Sequence, residues 1–229
     1  MTAAPGTMLA LQGVSVVKDG RTILHPLDLT LAERRVGIIG RNGSGKSTLA
    51  RLFNGIETPS TGTVLLGDCA DRRALRRGVG FVFQNPDNQI VYPIVEEDLA
   101  FGLKNLKLPP EEIRARIDTV LDRFGLAGLR GRFTHQLSGG EKQMIALAGV
   151  LVMRPATVVL DEPATLLDLW NRNRLMQLIA GLEEQVIMVS HDLEMLARFD
   201  RVLLVEAGRI AADGPPDQVI ARYRAGAAC

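Results

Sequence analysis

The chain has 229 residues, 46% of them hydrophobic, and 27 Lys and Arg stand against 26 Asp and Glu for a net charge of +1. That balance excludes a strong field drawing in nucleic acid or an anionic bilayer, so no nucleic-acid partner is expected. The length suits one large domain, or one domain carrying an inserted lobe. Cys69 and Cys229 are too few and too far apart for a disulfide framework and point to a reducing compartment. The opening MTAAPGTMLALQG has no basic stretch leading into an apolar core, so no signal peptide is expected. The longest apolar run, MIALAGVLVM at 144–153, falls well short of the ~20 residues of a membrane-spanning helix. A role in transport would need a membrane part supplied by another chain.

In chain order, short strands are predicted at 9–17, 23–31 and 36–39, the last an apolar VGII that runs into a glycine loop. A helix follows from Lys46 to about Asn54, then strands at 63–66 and 80–83. From 85 to 155 the signals turn helical, with candidates at 95–105, 110–124 and 138–152. Pro110 opens the second of these, with Glu111 and Glu112 in its first turn and Gly125 at its end, as the helix dipole and proline's missing N–H favour. Strand and helix then alternate again: a strand at 157–160, a helix near 168–184, a strand at 186–190, a helix near 192–199 and a strand at 202–205. Alternation of this kind predicts an α/β fold on a largely parallel sheet. The core is expected from 1–84 and 156–229, with a helical subdomain inserted at 85–155.

Gly40-Arg41-Asn42-Gly43-Ser44-Gly45-Lys46-Ser47-Thr48 fits G-x-x-x-x-G-K-[ST], with an apolar strand before it and a helix after it. Glycines let the backbone turn its N–H groups inward around phosphate oxygens, and the helix N-terminus adds partial positive charge. Lys46 brings a full charge to the terminal phosphates, and Ser47 offers a hydroxyl to Mg²⁺, which keeps most of its waters. The motif specifies a nucleotide without naming the reaction.

Val158-Val159-Leu160-Asp161-Glu162 reads as a buried strand ending in two carboxylates, at the end of a parallel strand where α/β ligands gather. Asp161 suits the Mg²⁺ hydration shell, and Glu162 suits a base that polarises an attacking water. The plainer alternative is a pair of acidic residues capping the turn before Pro163. His191 follows the apolar VIMVS. By itself it reads as structural; beside these carboxylates it suits a hydrogen bond to the γ-phosphate that holds the water and Glu162 in place.

With these residues assembled, the chain resembles the ABC ATPases over nearly its whole length. Leu137-Ser138-Gly139-Gly140-Glu141 resembles the signature LSGGQ with Glu in the last place. Gln84 after VGFVF resembles the Q-loop glutamine, a catalytic and Mg²⁺-side residue. Asp168 in TLLD resembles the D-loop aspartate, and His191 the switch histidine. The resemblance implies a P-loop, RecA-like parallel sheet with an N-terminal antiparallel β subdomain and an inserted α-helical subdomain. It also implies ATP and Mg²⁺ as ligands. The working form implied is a homodimer or heterodimer in which Ser138, Gly139, Gly140, Glu141 and Asp168 of one subunit close over nucleotide held by the other.

The stretches GFVFQNPDNQIVYPIVEEDLAFGLKNL and LAGVLVMRP further resemble the ATPases of energy-coupling-factor importers, and DEPATLLDL those of biotin and cobalt systems. That implies a transmembrane coupling (T) protein and a substrate-binding membrane (S) subunit as partners, and a peripheral position on the cytoplasmic face of the inner membrane. Asp87, Glu96, Glu97 and Asp98 make the segment after Gln84 acidic, which suits a cationic coupling helix and equally suits a solvated helix start. A soluble ABC ATPase of DNA repair or translation is the alternative, although such proteins usually carry paired domains or long coiled coils. A small-molecule kinase would leave the signature and His191 unexplained. The family's adenine-stacking aromatic falls at Lys18, and no aromatic residue precedes Phe53, so weak discrimination between ATP and GTP is expected. Trp170 is read as core in preference to a dimer contact. Arg72, Arg73, Arg76 and Arg77 are read as solvated surface.

Overall fold

The computed structural model describes residues 8–165 and 167–227. The expectations about the first seven residues and about Cys229 lie outside them; Cys69 is an exposed free thiol. In chain order the elements are β1 (Leu9–Lys18), β2 (Arg21–Leu31), β3 (Arg35–Ile39), α1 (Lys46–Phe53), β4 (Thr61–Leu66), α2 (Arg72–Gly78), β5 (Val79–Val82), α3 (Val95–Asn105) and α4 (Pro110–Arg123). They continue with α5 (Gly139–Leu151), β6 (Thr157–Asp161), α6 (Leu169–Ala180), β7 (Gln185–Val189), α7 (Leu193–Leu196), β8 (Arg201–Glu206), β9 (Arg209–Gly214) and α8 (Pro216–Ala227).

The chain forms two compact units. One comprises the chain through Phe81, Ala156–Glu162 and the chain from Glu183 onward; the other comprises Val82–Pro155 and Pro163–Leu182. Two sheets are present. An antiparallel sheet runs β2-β1-β4, and a six-stranded sheet runs β5-β6-β7-β3-β8-β9. In the larger sheet β6, β7, β3 and β8 pair in parallel, and β9 adds antiparallel at the edge. Every residue of β3, β6 and β7 is buried, as expected of parallel strands covered on both faces and written as unbroken apolar runs. Helix α1 packs on β6 and β7 through Leu49, Leu52 and Phe53, none of them measurably exposed.

Sequence patterning did not anticipate α2, β9 or α8. The arginine cluster folds into α2, capped by Asp71 accepting from Arg73 N–H, and Arg72 Nε donates to Gly55 O at 2.8 Å. Strand β9, RIAADG, has one large β-former, Ile210, too few to mark a strand. Its hairpin with β8 is made by Ala207 and Gly208, both at positive φ (45° and 72°), between the paired Glu206 and Arg209. Two predicted helices are shorter than expected: α6 stops at Ala180, and α7 is a single turn.

The second unit is built on α5, where six consecutive residues from Gln143 to Ala148 are buried. A helix apolar on all sides sits inside its neighbours, and α3 and α4 both pack on it. Gln89 Nε2 donates to Ala146 O at 2.6 Å, while Gln89 Oε1 accepts from Phe83 N–H. Arg130 bridges Glu96 at 2.7 Å and also pairs with Asp118, which holds Glu96 below the usual carboxylate range. Residues Pro163–Leu182, allotted to the α/β core on sequence, group with this unit. Arg174 donates to Phe124 O at 2.6 Å, and the Asn171 side chain packs against Gly140. The expectation of a core Trp170 is overturned, since its side chain is 86% exposed. Helix α6 buries only Leu175 and Ile179, and five residues at ~100° each put position 170 about 140° round the helix from Leu175.

One buried polar residue ties the larger sheet to the chain entering it. Gln185 Oε1 accepts from Thr157 Oγ1 at 2.9 Å, and Gln185 Nε2 donates to Leu31 O (3.1 Å) and Glu33 O (2.9 Å). Gln185→Ala strands a buried hydroxyl and two carbonyls and leaves a cavity, so it should cost about 2–4 kcal/mol. That predicts a melting temperature lower by roughly 5–10 °C; an unchanged value would contradict this role.

Candidate functional site

The site of the first unit gathers where α1 begins and where β6 and β7 end. Gly40, at φ 149°, lies so close to β8 that a Cβ there would sit 2.1 Å from Val205 O, a backbone atom that cannot yield. Gly45 is left-handed (φ 105°), and a Cβ would reach 2.8 Å from Leu24 Cδ2. Gly43 (φ 77°) faces open space. The loop is closed by Ser44 N–H to Arg41 O at 3.1 Å and by Gly208 N–H to Ser44 O at 2.9 Å.

Helix α1 has no side-chain cap and no acidic residue in its first turn, so its leading N–H groups stand free for an anion. Inside the loop Lys46, 6% exposed, donates from Nζ to Gly40 O (2.8 Å) and Arg41 O (2.9 Å). Burial lowers its pKa, opposed by the charges of Glu162 and Asp161. The buried Ser44 hydroxyl has no hydrogen-bond partner among the described residues. A buried cation, uncapped amides and an orphaned hydroxyl in one loop are what a polyphosphate would satisfy. Asn42 is exposed, and Thr48 is half-buried one residue past Ser47.

Ser47 Oγ donates to Asp161 Oδ1 at 3.0 Å. Asp161 is 4% exposed, and burial raises its pKa despite the Ser47 hydrogen bond and the nearby Arg51 and Lys46 charges. Arg51 Nη2 lies 3.9 Å from Asp161 Oδ2. Arg51 was not singled out on sequence, although its spacing of four from Ser47 puts both on one helix face. Glu162 follows at φ 55°, a left-handed conformation that costs a non-glycine residue about 1–3 kcal/mol, and its N–H is anchored on Val189 O at 3.0 Å. Its Oε1 lies 2.8 Å from His191 Nε2. Two strand ends thus present an acid–imidazole pair, with Glu162 largely shielded and His191 half-exposed.

The remaining predicted residues lie elsewhere. Lys18, the last residue of β1 beside the β1–β2 turn, pairs with Glu57 and is 44% exposed. Gln84, Ser138–Glu141 and Asp168 belong to the second unit, and Gln84 is exposed at a bend after β5. Ser138 caps α5 in a reciprocal box: Ser138 Oγ accepts from Glu141 N–H, and Glu141 Oε2 accepts from Ser138 N–H at 2.8 Å. This explains the chemistry of Glu in place of Gln: the back-bond, the hydroxyl contact and the nearby Arg132 and Arg174 charges hold the carboxyl below its usual range. A Cβ on Gly139 would meet nothing within 4 Å, whereas one on Gly140 would lie 2.5 Å from the Asn171 side chain. Asp168 caps α6 by accepting from Asn171 N–H at 2.8 Å.

A profile of the ABC transporter family matches residues 24–165. The chain belongs to the ABC transporter family. It is similar to the biotin transport ATP-binding protein BioM of Rhizobium etli, 48% identical over 218 residues and covering 94% of this chain and 97% of that one. It is similar to the energy-coupling factor transporter ATP-binding protein EcfA1 of Caldanaerobacter subterraneus subsp. tengcongensis, 44% identical over 193 residues, covering 80% and 70%. Among solved structures, cbiO1 of Clostridium perfringens, described as part of the ABC transporter complex cbiONQ, superposes with a TM-score of 0.84 at 36% identity, covering 94% and 92%. The chain therefore has the P-loop ATPase fold expected from its motifs, binds ATP, and is an ATPase of transport. Among the described residues no helix is long and apolar enough to cross a membrane.

The charge balance at Asp161 gives a test. A folded-state pKa raised above the unfolded value means that ionisation at neutral pH costs stability, a cost that fades in acid where the carboxyl is protonated. Asp161→Asn keeps an acceptor for Ser47 and removes that cost. The nucleotide-free variant should melt a few degrees above wild type at neutral pH, the gap narrowing as pH falls. A lower melting temperature at neutral pH would overturn the assignment of cause.

Proposed function

We propose that the chain is the motor subunit of an energy-coupling-factor importer for a micronutrient, cobalt ion or biotin, and that it works as a face-to-face dimer. The observation that carries the reading is the convergence, on one loop, of an uncapped helix, buried Lys46, the Ser47–Asp161 pair and the Glu162–His191 pair. The triphosphate of ATP lies along Gly40–Thr48, receives the loop's amides and the Ser44 hydroxyl, and takes Lys46 from its carbonyl partners. Ser47 and Asp161 would hold Mg²⁺, to which the family resemblance adds Gln84, and the ion would supply charge neutralisation to the phosphates. So few protein ligands suit an ion that keeps its waters, and among the described residues no cluster of three or more His, Cys, Asp or Glu forms a denser metal site.

Glu162 accepts a proton from the attacking water, and His191 orients Glu162 and contacts the γ-phosphate. The open face at Gly139 and the Ser138 hydroxyl meet that phosphate from the second subunit, with Glu141 holding the helix start in shape through its bond to Ser138 N–H and Asp168 following on the next helix. Closure on ATP and release after hydrolysis shift one two-state equilibrium, by no more than the difference in ATP affinity between the states. That movement is transmitted to a transmembrane coupling protein, and through it to a substrate-binding membrane subunit, from the cytoplasmic face of the membrane. The names of the biotin and cbiONQ relatives support an importer, and either cargo fits them.

Glu162→Gln should bind ATP normally, accumulate as a dimer and lose turnover by roughly 10²–10⁴-fold, the usual contribution of a general base. Near-normal phosphate release in that variant would remove Glu162 from the chemistry. With Lys18 engaged by Glu57 where stacking is usual, ATP and GTP should be hydrolysed at comparable rates; a strong ATP preference in a side-by-side assay would contradict this.

A further inference from the structure

We propose that in the nucleotide-bound dimer Trp170 of one copy inserts beside the phosphate loop of a second copy, in a recess formed by Arg41, Glu206 and Tyr223. The inference rests on the face-to-face reading above. Trp170 is the chain's only tryptophan, and it stands 86% exposed beside Leu169, itself 63% exposed. A large aromatic projecting from a helix start, with an apolar neighbour, is a residue awaiting a surface.

The position of that surface follows from the second unit's own packing. Asp168 holds Asn171 through its backbone N–H, and the Asn171 side chain fills the space against Gly140 of the signature helix. Trp170 is therefore carried with Ser138–Gly140. If that end closes over a phosphate loop of another copy, the indole arrives at the same loop's flank.

On that flank the first unit has a recess of about 430 Å³, lined by Arg41, Asn42, Glu206 and Tyr223 among others. Its chemistry complements an indole. Tyr223 offers a half-buried ring for stacking, the Arg41 guanidinium offers a cation–π partner, and the Glu206 carboxylate offers an acceptor for the indole N–H. None of these three side chains is engaged in a hydrogen bond or ion pair among the described residues. Arg41 also accepts from Lys46 through its carbonyl, so a ring seated here rests on the loop that holds the nucleotide.

A single tryptophan makes the test direct. Trp170 emission and acrylamide quenching are followed in Glu162→Gln with ATP and Mg²⁺, alongside sedimentation to count subunits. The expected result is a blue shift and a several-fold fall in quenching as the dimer forms. Tyr223→Ala in the same background should lose the shielding and weaken the dimer by roughly three- to tenfold, the worth of one aromatic pair. A dimer whose Trp170 stays as quenchable as in the monomer overturns the docking and leaves the sandwich standing. Shielding that persists undiminished in both Tyr223→Ala and Arg41→Ala also overturns it, as does shielding seen only when the membrane partner is added. Failure to dimerise with ATP, alone or with that partner, removes the underlying reading and this inference with it.

Discussion

A buried ammonium whose partners are two backbone carbonyls is the interaction around which the rest of the first unit is arranged. Lys46 is desolvated, points into its own loop and, among the described residues, donates to Gly40 O and Arg41 O. Holding a cation there demands a backbone that curls tightly. Gly40 and Gly45 permit the curl because β8 and β2 approach too closely for any side chain. The same curl leaves the amides of α1 uncapped. Loop and lysine thus form an anion site whose charge is in place before any anion arrives, the two carbonyls holding the ammonium until phosphate oxygens replace them.

The parallel sheet supplies the opposing charges. Strands β6 and β7 run side by side in register, Asp161 against Val189, so their C-terminal ends deliver Asp161, Glu162 and His191 to one edge. Asp161 is buried at a cost, partly offset by Ser47 and Arg51. Glu162 occupies a left-handed backbone conformation at a further cost. Both are held by the surrounding sheet, and both lie where catalysis needs rigid groups. The second unit is built differently. Its functional end is a helix start stabilised by its own capping box, which needs no ligand to be well formed.

The candidate residues of the phosphate loop were legible because motif and local structure agree: an apolar strand, a glycine loop and a helix need no long-range information. The signature was legible only as a resemblance, since Ser-Gly-Gly-Glu at a helix start is also an ordinary cap, and here it is that cap as well. What escaped depends on tertiary context. Strand β9 has only Ile210 as a β-former and exists because β8 offers an edge and Ala207-Gly208 accept positive φ. Gln185 carries no sequence signal beyond preceding an apolar strand, although its amide joins three segments distant in sequence. Trp170 was assigned to the core on composition, whereas its orientation is set by which face of α6 carries Leu175 and Ile179.

Loop and cap lie in different units, and in the proposed dimer they complete one another across two copies. Mixing two variants tests this most directly: Lys46→Ala, which lacks the grip, and Ser138→Arg, which blocks the lid. Each alone should be silent. The equimolar mixture should release phosphate, because a mixed dimer pairs an intact Lys46 from one chain with an intact Ser138 from the other. Phosphate release by Ser138→Arg alone, or a silent mixture in which mixed dimers are demonstrably present, would contradict the account.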